Sequence, residues 1–277
     1  MAILGRKTLK SSRARMRRID QVFEWAGKIF LVAYFIFVFI SWLSYRESFR
    51  IDTVLVSGTY TTSRDDIQLV ATQFLSLHIL WKIDRNNAVF YPKKNLSEAL
   101  YSLDSHIKHV DMSVEKKKNL EIRITEYAPG YLWCGTENAT STNECYLADF
   151  DGYIYARSPD YTGFPFPIFY TYVIGSEEQG TPIGFNLLPP DEYAKISMMI
   201  NLLTKNNIIV SQVHQTDEFD YTLITDRSWV LHWSSTKDPI KSIENLKLVL
   251  SDIQRRSQSS TEPISIDLRF GNKIFYK

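Results

Sequence analysis

A run of 17 residues without a charge, IFLVAYFIFVFISWLSY, occupies Ile29–Tyr45 and constrains the fold more than any other feature. As a helix it would span roughly 25 Å, slightly less than the ~30 Å hydrocarbon core of a bilayer. The difference closes if the Lys28 side chain extends to the membrane interface. A cleaved signal peptide would have a shorter basic region and a cleavage site of small residues. We therefore predict one uncleaved transmembrane helix at residues 29–45.

The charges on either side of this run are unequal and predict its orientation. The first 28 residues hold eight Lys/Arg and two acidic side chains, whereas the rest of the chain holds 24 basic and 29 acidic ones. The positive-inside bias predicts that residues 1–28 form a cytoplasmic basic tail and that everything from about Arg46 onward lies outside the cytoplasm. The mildly acidic outer region argues against a nucleic-acid partner, so membrane lipid is the only non-protein partner we expect.

Residues 49–126 are predicted to form a small α/β domain with the order β-α-α-β-β. Its helices would cover one face of a three-stranded sheet. The predicted elements are, in order, a strand at Phe49–Gly58, a helix capped by Ser63, a loop at Ile79–Ile83, a helix starting at Asn95 or Ser97, and strands at Ile107–Glu115 and Leu120–Glu126.

Residues 127–277 are predicted to form a mostly antiparallel β domain with two helices, which makes the whole chain α+β. Asp149–Gly152 has the composition of a tight hairpin turn. One helix is expected to open at Pro189–Glu192 and to run to about Lys205, and another follows the cap Asp238, with Ile240 in its buried stripe. The closing strands are expected at Ile264–Phe270 and Lys273–Lys277.

The two cysteines, Cys134 and Cys145, flank a polar run between the apolar pieces GYLW and YLAD. This pattern indicates a hairpin with a long loop, in which the two sulfurs could face each other. A disulfide there would contribute about 2–3 kcal/mol on the chain-entropy account. The alternative is two half-buried free thiols. We predict the bridge, and we expect no zinc site because no second pair of ligands lies nearby.

Short motifs elsewhere do not indicate catalysis. Ser234 and Lys237 match the S-x-x-K pattern of serine acyl-transferases, but they fall in a turn and no K-T-G partner is present. His106 and His109 lie at the start of a predicted strand without a third ligand nearby. We therefore expect no catalytic residue, metal, cofactor or small-molecule substrate, and a membrane-anchored acyl-transferase is the weaker alternative.

The order and spacing of several runs resemble the FtsQ/DivIB family of bacterial cell-division proteins over nearly the whole chain. Two departures from the family pattern are Asn119, where many members have Pro, and Tyr127, where many have a basic residue. The runs that carry the resemblance are FRIDTVLVSG (49–58), ILWKID (79–84), LEIRITEYAPGYLW (120–133), YLADFDGYIY (146–155), WVLHW (229–233) and ISIDLRFGNKIFYK (264–277).

The resemblance implies a POTRA domain at 49–126, a family-type β domain at 127–277 and a non-enzymatic scaffold at the division septum. Such proteins recruit small bitopic coiled-coil partners of the FtsB/DivIC and FtsL types and help control peptidoglycan synthesis. A POTRA-containing factor of protein transport or assembly is the alternative.

The resemblance also implies that a partner adds a strand near the C-terminal edge of the β domain, which agrees with the unpaired backbone groups of any terminal strand. Alternation puts Ile264, Ile266, Leu268 and Phe270 on the core face of ISIDLRF, and Ser265, Asp267 and Arg269 on the other. We expect Asp267 and Arg269 to contact the partner, and Leu268 and Phe270 to set the register. An ordinary closing strand is the alternative, and the predicted partner-binding residues are Ile266, Asp267, Leu268, Arg269 and Phe270.

Overall fold

The computed structural model describes residues 12–79, 83–115, 118–136, 144–160, 165–176, 180–256, 265–271 and 273–277. The chain is mixed α+β and divides into two compact units, Met1–Thr125 and Glu126–Lys277. The boundary predicted from the sequence lies one residue later. The first eleven residues of the predicted basic tail, the centre of the Ile79–Ile83 loop and Ile264 lie outside the described residues.

The N-terminal helix α1 (Ser12–Ser44) contains the charge-free run except for its last residue, Tyr45, and begins well before it. Its segment Glu24–Ser44 has a mean hydropathy of 2.1 and is long and apolar enough to cross a membrane. The two charges at the start of this segment pair with each other, because Lys28 Nζ lies 2.8 Å from Glu24 Oε1, one helical turn away. Pairing reduces the cost of placing both groups near the hydrocarbon.

Helix α1 ends at Ser44, and its last carbonyl groups are bonded by a side chain of the first unit. Asn87 is fully buried, and its Nδ2 donates to the carbonyl oxygen of Ser44 at 3.0 Å. Its Oδ1 accepts the backbone N–H of Val89 at 2.9 Å. The C-terminal carbonyls of a helix have no intrahelical partners, so the Asn87 amide satisfies one of them. Only the short turn Glu47–Phe49 and five further residues separate α1 from the first strand.

After α1, the first unit consists of a three-stranded sheet, two helices and a small hairpin. The sheet has the strand order β1-β5-β4, with β1 and β5 parallel. Its core contains Ile67 and Ala71 of α2, Leu96 and Leu100 of α3, and the apolar faces of the strands. The elements are β1 (Thr53–Ser57), α2 (Arg64–Leu75), β2 (His78–Ile79), β3 (Ile83–Asp84), α3 (Lys93–Tyr101), β4 (Ile107–Glu115) and β5 (Asn119–Glu126).

The helix and strand bounds predicted for this unit agree with the structure in part. Ser63 caps α2 as predicted, because its side chain accepts the backbone N–H of Asp66. The first strand is shorter than predicted, since Phe49 belongs to the preceding 3-10 turn. The start predicted for the second helix is wrong, because α3 begins at Lys93 directly after Pro92. The predicted loop contains the paired strands β2 and β3, which are too short to show a period in the sequence.

The second unit is built on a nine-stranded sheet with the order β14-β13-β12-β11-β10-β9-β6-β7-β8. Five of the eight neighbouring pairs are antiparallel, and β6–β9, β9–β10 and β12–β13 are parallel. The strands are β6 (Pro129–Trp133), β7 (Tyr146–Asp149), β8 (Ile154–Arg157), β9 (Ile168–Tyr170), β10 (Val210–Gln215), β11 (Asp220–Thr225), β12 (Val230–Ser234), β13 (Ser265–Asp267) and β14 (Phe275–Tyr276).

Helices α4 (Pro190–Lys205) and α5 (Pro239–Arg256) supply the main core on one face of this sheet. The range of α4 agrees with the prediction, and Asp238 caps α5 as predicted by accepting the N–H of Ile240 at 2.9 Å. Ile243 and Leu246 of α5 are buried, but Ile240 is exposed, so its predicted place in the buried stripe is wrong. Ser242, in the first turn of α5, faces the sheet, and its hydroxyl accepts a hydrogen bond of 3.1 Å from the indole N–H of the fully buried Trp233 on β12.

The cysteine-containing hairpin is part of the same sheet, and its disulfide lies on the face opposite α4 and α5. Strands β6 and β7 are antiparallel, and Cys134 and Cys145, just beyond their ends, form a disulfide. Both half-cystines pack against a second, smaller apolar cluster that includes Leu132 and Leu147.

Candidate protein-binding edge

The C-terminal strand predicted at Ile264–Phe270 is neither that long nor at the edge of the sheet. Strand β13 ends at Asp267, and it pairs with β12 on one side and with β14 on the other. The backbone then turns, and Gly271 has a φ of 65°, which lies in the left-handed region that glycine tolerates best. The two-residue strand β14 follows this turn and lies at the end of the sheet.

The five residues predicted to bind a partner therefore have different environments. Ile266 and Leu268 are buried in the main core of the second unit, so their side chains are not available to a partner. Phe270 is exposed, and the prediction that it continues the core face is wrong because the chain has left the extended conformation. Of the five, Asp267, Arg269 and Phe270 have side chains that reach the surface.

Arg269 is bonded to two carboxylates rather than free for a partner. Its guanidinium forms an ion pair of 2.6 Å with Asp267 Oδ2 and one of 3.2 Å with Asp220 Oδ2 on β11. The backbone N–H of Arg269 also donates to Asp267 Oδ1 at 3.0 Å. These bonds hold the turn after β13 against the strand two positions away in the sheet.

The ion pair with Arg269 lowers the pKa of the Asp267 carboxyl group. Partial burial acts to raise the pKa of its carboxyl group, but the hydrogen bonds from Arg269 outweigh burial, and the pKa lies below its usual range. The carboxylate therefore stays ionised under mildly acidic conditions and keeps Arg269 in place.

Strand β14 presents unpaired backbone groups at this end of the sheet. Ser265 exchanges both backbone hydrogen bonds with Lys277, the residue after the strand, at 3.2 and 3.0 Å. Bonded and non-bonded pairs alternate between antiparallel strands, so the N–H and C=O of Tyr276 point away from β13. Within the described part of the chain neither group has a hydrogen-bond partner.

Exposed aromatic side chains lie close to the unpaired backbone groups of Tyr276 along the chain. Phe270, Phe275 and Tyr276 are 57%, 58% and 44% exposed. The rings of Phe270 and Phe275 meet edge to face, with centroids 5.5 Å apart. Lys273 and Lys277 flank the strand. We call β14 with these three aromatic residues the C-terminal edge.

The opposite end of the sheet differs, because its outer strand is covered. Gly184 and Phe185 bond to both backbone groups of Ile154 on β8, at 2.9 and 2.8 Å. The N–H of Leu187 donates to the carbonyl of Gly152 at 2.8 Å. Natural sheets commonly protect their edges in this way, so an end left open is a candidate template for a strand of another chain.

The other motifs singled out from the sequence have local partners. Ser234 Oγ donates to the carbonyl of Phe219 at 3.2 Å, and Lys237 bonds to Ser234 through its backbone N–H at 2.9 Å, in the turn before α5. His106 lies 2.7 Å from Asp104, and His109 lies 3.3 Å from Asp111. The two histidines thus have separate carboxylate neighbours.

The edge predicted from the sequence lies one strand too early, because β14 and not β13 is at the end of the sheet. The signals for β14 were present, because an Arg-Phe-Gly-Asn turn precedes an apolar aromatic run between lysines. The position of that run at the outside of the sheet follows from strand order, which depends on all the pairings among nine strands that lie between Pro129 and Tyr276. No protein-family model matches this chain, and no curated protein matches it either. The candidate site is therefore described by its own geometry, as an open sheet edge with exposed aromatic side chains.

Proposed function

We propose that this chain is a membrane-anchored, non-enzymatic scaffold of the bacterial division machinery, as its resemblance to the FtsQ/DivIB family implies. Residues 1–28 are cytoplasmic, the helix crosses the cytoplasmic membrane once, and the two folded units lie outside the cytoplasm. The scaffold sits at the division septum, recruits bitopic partners of the FtsB/DivIC and FtsL types, and helps control septal peptidoglycan synthesis.

Two features of the first unit support this proposal. Apart from the small β2–β3 hairpin, its elements follow the order β-α-α-β-β that the resemblance to a POTRA domain leads one to expect. The apolar segment Glu24–Ser44 immediately precedes it, as an anchor would. The direction of insertion rests on the excess of basic residues before this segment.

The observation that carries the proposal is the open C-terminal edge. Strand addition gives affinity through main-chain hydrogen bonds and specificity through side-chain contacts beside the strand. The outward N–H and C=O of Tyr276 provide the first, and the exposed rings of Phe270 and Phe275 provide the second. Because β14 is short, we propose that a partner strand makes few backbone bonds and depends on the aromatic contacts.

The experiment compares Tyr276→Pro with Tyr276→Ala in co-purification of the full chain with the FtsB/DivIC-like protein of the same organism. Proline removes the outward N–H but leaves the bonds between β13 and β14 untouched, because those involve the neighbouring residues. We expect Tyr276→Pro to lower the amount of bound partner by about tenfold or more. Tyr276→Ala keeps the N–H, so we expect it to lose much less.

Both variants remove the same aromatic ring, so the difference between them isolates the backbone hydrogen bond. Equal binding by the two variants at the wild-type level would exclude strand addition at β14. A loss of the same size in both would attribute binding to the ring alone and would also contradict the proposed mode.

A further inference from the structure

A second surface of the second unit has the chemistry of a binding site. A cavity of about 440 Å³ opens between the end of β9, the start of α4 and the turn from β10 to β11. Tyr170 and Tyr172 line one wall, Glu192 lines another, and Asp217 and Glu218 line the third. We call it the acidic cavity. Strands β11, β12 and β13 separate β10 from β14, so this cavity is distinct from the C-terminal edge.

The charge of the acidic cavity has one sign. Three carboxylates line it, and none of the described lining residues is Lys, Arg or His. Glu192 is fixed, because its Oε2 accepts the Tyr221 hydroxyl at 2.6 Å. Asp217 is held within its turn by accepting the N–H of Glu218 at 2.8 Å. No ion pair to Asp217 or Glu218 occurs within the described residues, so their charge faces the cavity and solvent uncompensated.

The aromatic wall is also held in position. The Tyr170 ring stacks on the His214 ring with centroids 4.5 Å apart. The N–H of Tyr172 donates to the side-chain oxygen of Gln215 at 3.2 Å, and the Gln215 amide in turn donates to the carbonyl of Glu218 at 3.4 Å. Gln215 therefore ties the aromatic wall to the acidic turn. Tyr172 is about half exposed, so its ring is accessible from solvent.

We infer that the acidic cavity binds a Lys- or Arg-containing segment of a partner polypeptide. A cation held over a tyrosine ring gains cation–π attraction, and nearby carboxylates add complementary charge. The same charges oppose phosphate groups and acidic peptides. The cavity is large enough for one long side chain and the backbone next to it. This inference goes beyond the proposed function, because it does not depend on the division machinery or on β14.

The test measures peptide binding to the full chain in nanodiscs of phosphatidylcholine, whose headgroups carry no net charge. The probe is a fluorescein-labelled Gly-Lys-Gly-Arg-Gly-Lys-Gly peptide, followed by fluorescence anisotropy, with empty nanodiscs as the baseline. We expect saturable binding that weakens with added salt. A peptide with Gln in place of each cation should bind at least tenfold more weakly.

Two sets of variants locate the site. Asp217→Asn combined with Glu218→Gln should weaken binding by about tenfold, since both charges are lost while the acceptor for the Glu218 N–H is retained. The matched control, Asp226→Asn combined with Glu244→Gln, removes two exposed carboxylates elsewhere in the second unit and should change binding less than twofold. Tyr172→Phe should keep the affinity, whereas Tyr172→Leu should weaken it several-fold.

Three results would overturn the inference: unchanged binding in the Asp217/Glu218 variant, an equal loss in the control pair, or equal binding of the Gln peptide. Saturable binding of chitotetraose that Tyr172→Leu weakens, without binding of the cationic peptide, would identify the cavity as a saccharide site instead. Tyr276→Pro should leave cationic-peptide binding unchanged, so failure here is distinguishable from failure of the proposed function.

Discussion

Asn87 illustrates how a single buried amide joins the apolar helix to the unit that follows it. Its Nδ2 bonds to the Ser44 carbonyl, and its Oδ1 bonds to the Val89 N–H. Asn87→Ala leaves the Ser44 carbonyl without this partner in a buried site and removes the acceptor of the Val89 N–H, so we expect a loss of about 1–3 kcal/mol in local stability. Hydrogen-exchange mass spectrometry of the full chain in nanodiscs should show faster exchange at residues 45–52 and 86–90. The exposed Asn95→Ala serves as control, and exchange no faster than in that variant would contradict this role.

The ion pair between Arg269 and Asp267 makes a pH-dependent contribution to the free energy of unfolding. The folded state lowers the pKa of Asp267, so the stabilisation is present above the ordinary carboxyl pKa of about 4 and is lost as pH falls through the lowered value. We expect the urea midpoint, followed by tryptophan fluorescence, to fall more between pH 5 and pH 3 for the wild type than for Arg269→Met. At neutral pH this substitution should cost about 1 kcal/mol, because the pair is partly exposed. Parallel pH profiles for the two proteins would refute the assignment.

Single residues were predictable where their partners are close in sequence. Ser63 and Asp238 cap helices through backbone groups two or three positions away, and Asp149 accepts the N–H groups of Asp151 and Tyr153 in the hairpin turn. The hydrogen bond from Arg269 to Asp220 joins residues 49 positions apart, and no local sequence pattern predicts it.

Among the elements, the β6–β7 hairpin with its disulfide allows the most direct test. The bond closes a loop with a sequence separation of 11 residues. On the chain-entropy account its loss costs about 2–3 kcal/mol. We expect dithiothreitol to lower the urea midpoint of the full chain. The Cys134→Ser/Cys145→Ser variant should start from the lower midpoint and be insensitive to the reductant. A reductant-sensitive midpoint in that variant would mean that the effect does not come from this bond.

Hydrophobic periodicity in the sequence predicts the bounds of some helices and strands but not of others. Helix α4 matches Pro190–Lys205 because proline at its start and a buried stripe at helical spacing act together. The apolar alternation in ISIDLRF continues through Phe270, but the strand stops at Asp267, because the Asp267–Arg269 bonds and the turn at Gly271 redirect the chain. The place of β14 outside β13 depends on the order of the whole sheet, which period alone does not encode.

At the scale of the whole molecule, the two units and the apolar helix suggest a division of roles. The helix is long and apolar enough to cross a membrane, and Asn87 bonds the C-terminal end of this helix to the residues that follow it. We propose that the second unit offers the C-terminal edge to one partner strand and the acidic cavity to a cationic segment.

The most direct measurement of the central claim is the position of a fluorescent protein fused to the N-terminus, imaged in dividing cells of the native host. The account predicts a band at mid-cell that forms before constriction begins. Combining the fusion with Tyr276→Pro should leave anchoring at the membrane intact, because the helix is unchanged. An even distribution around the whole envelope throughout the cell cycle would contradict a role as a division scaffold.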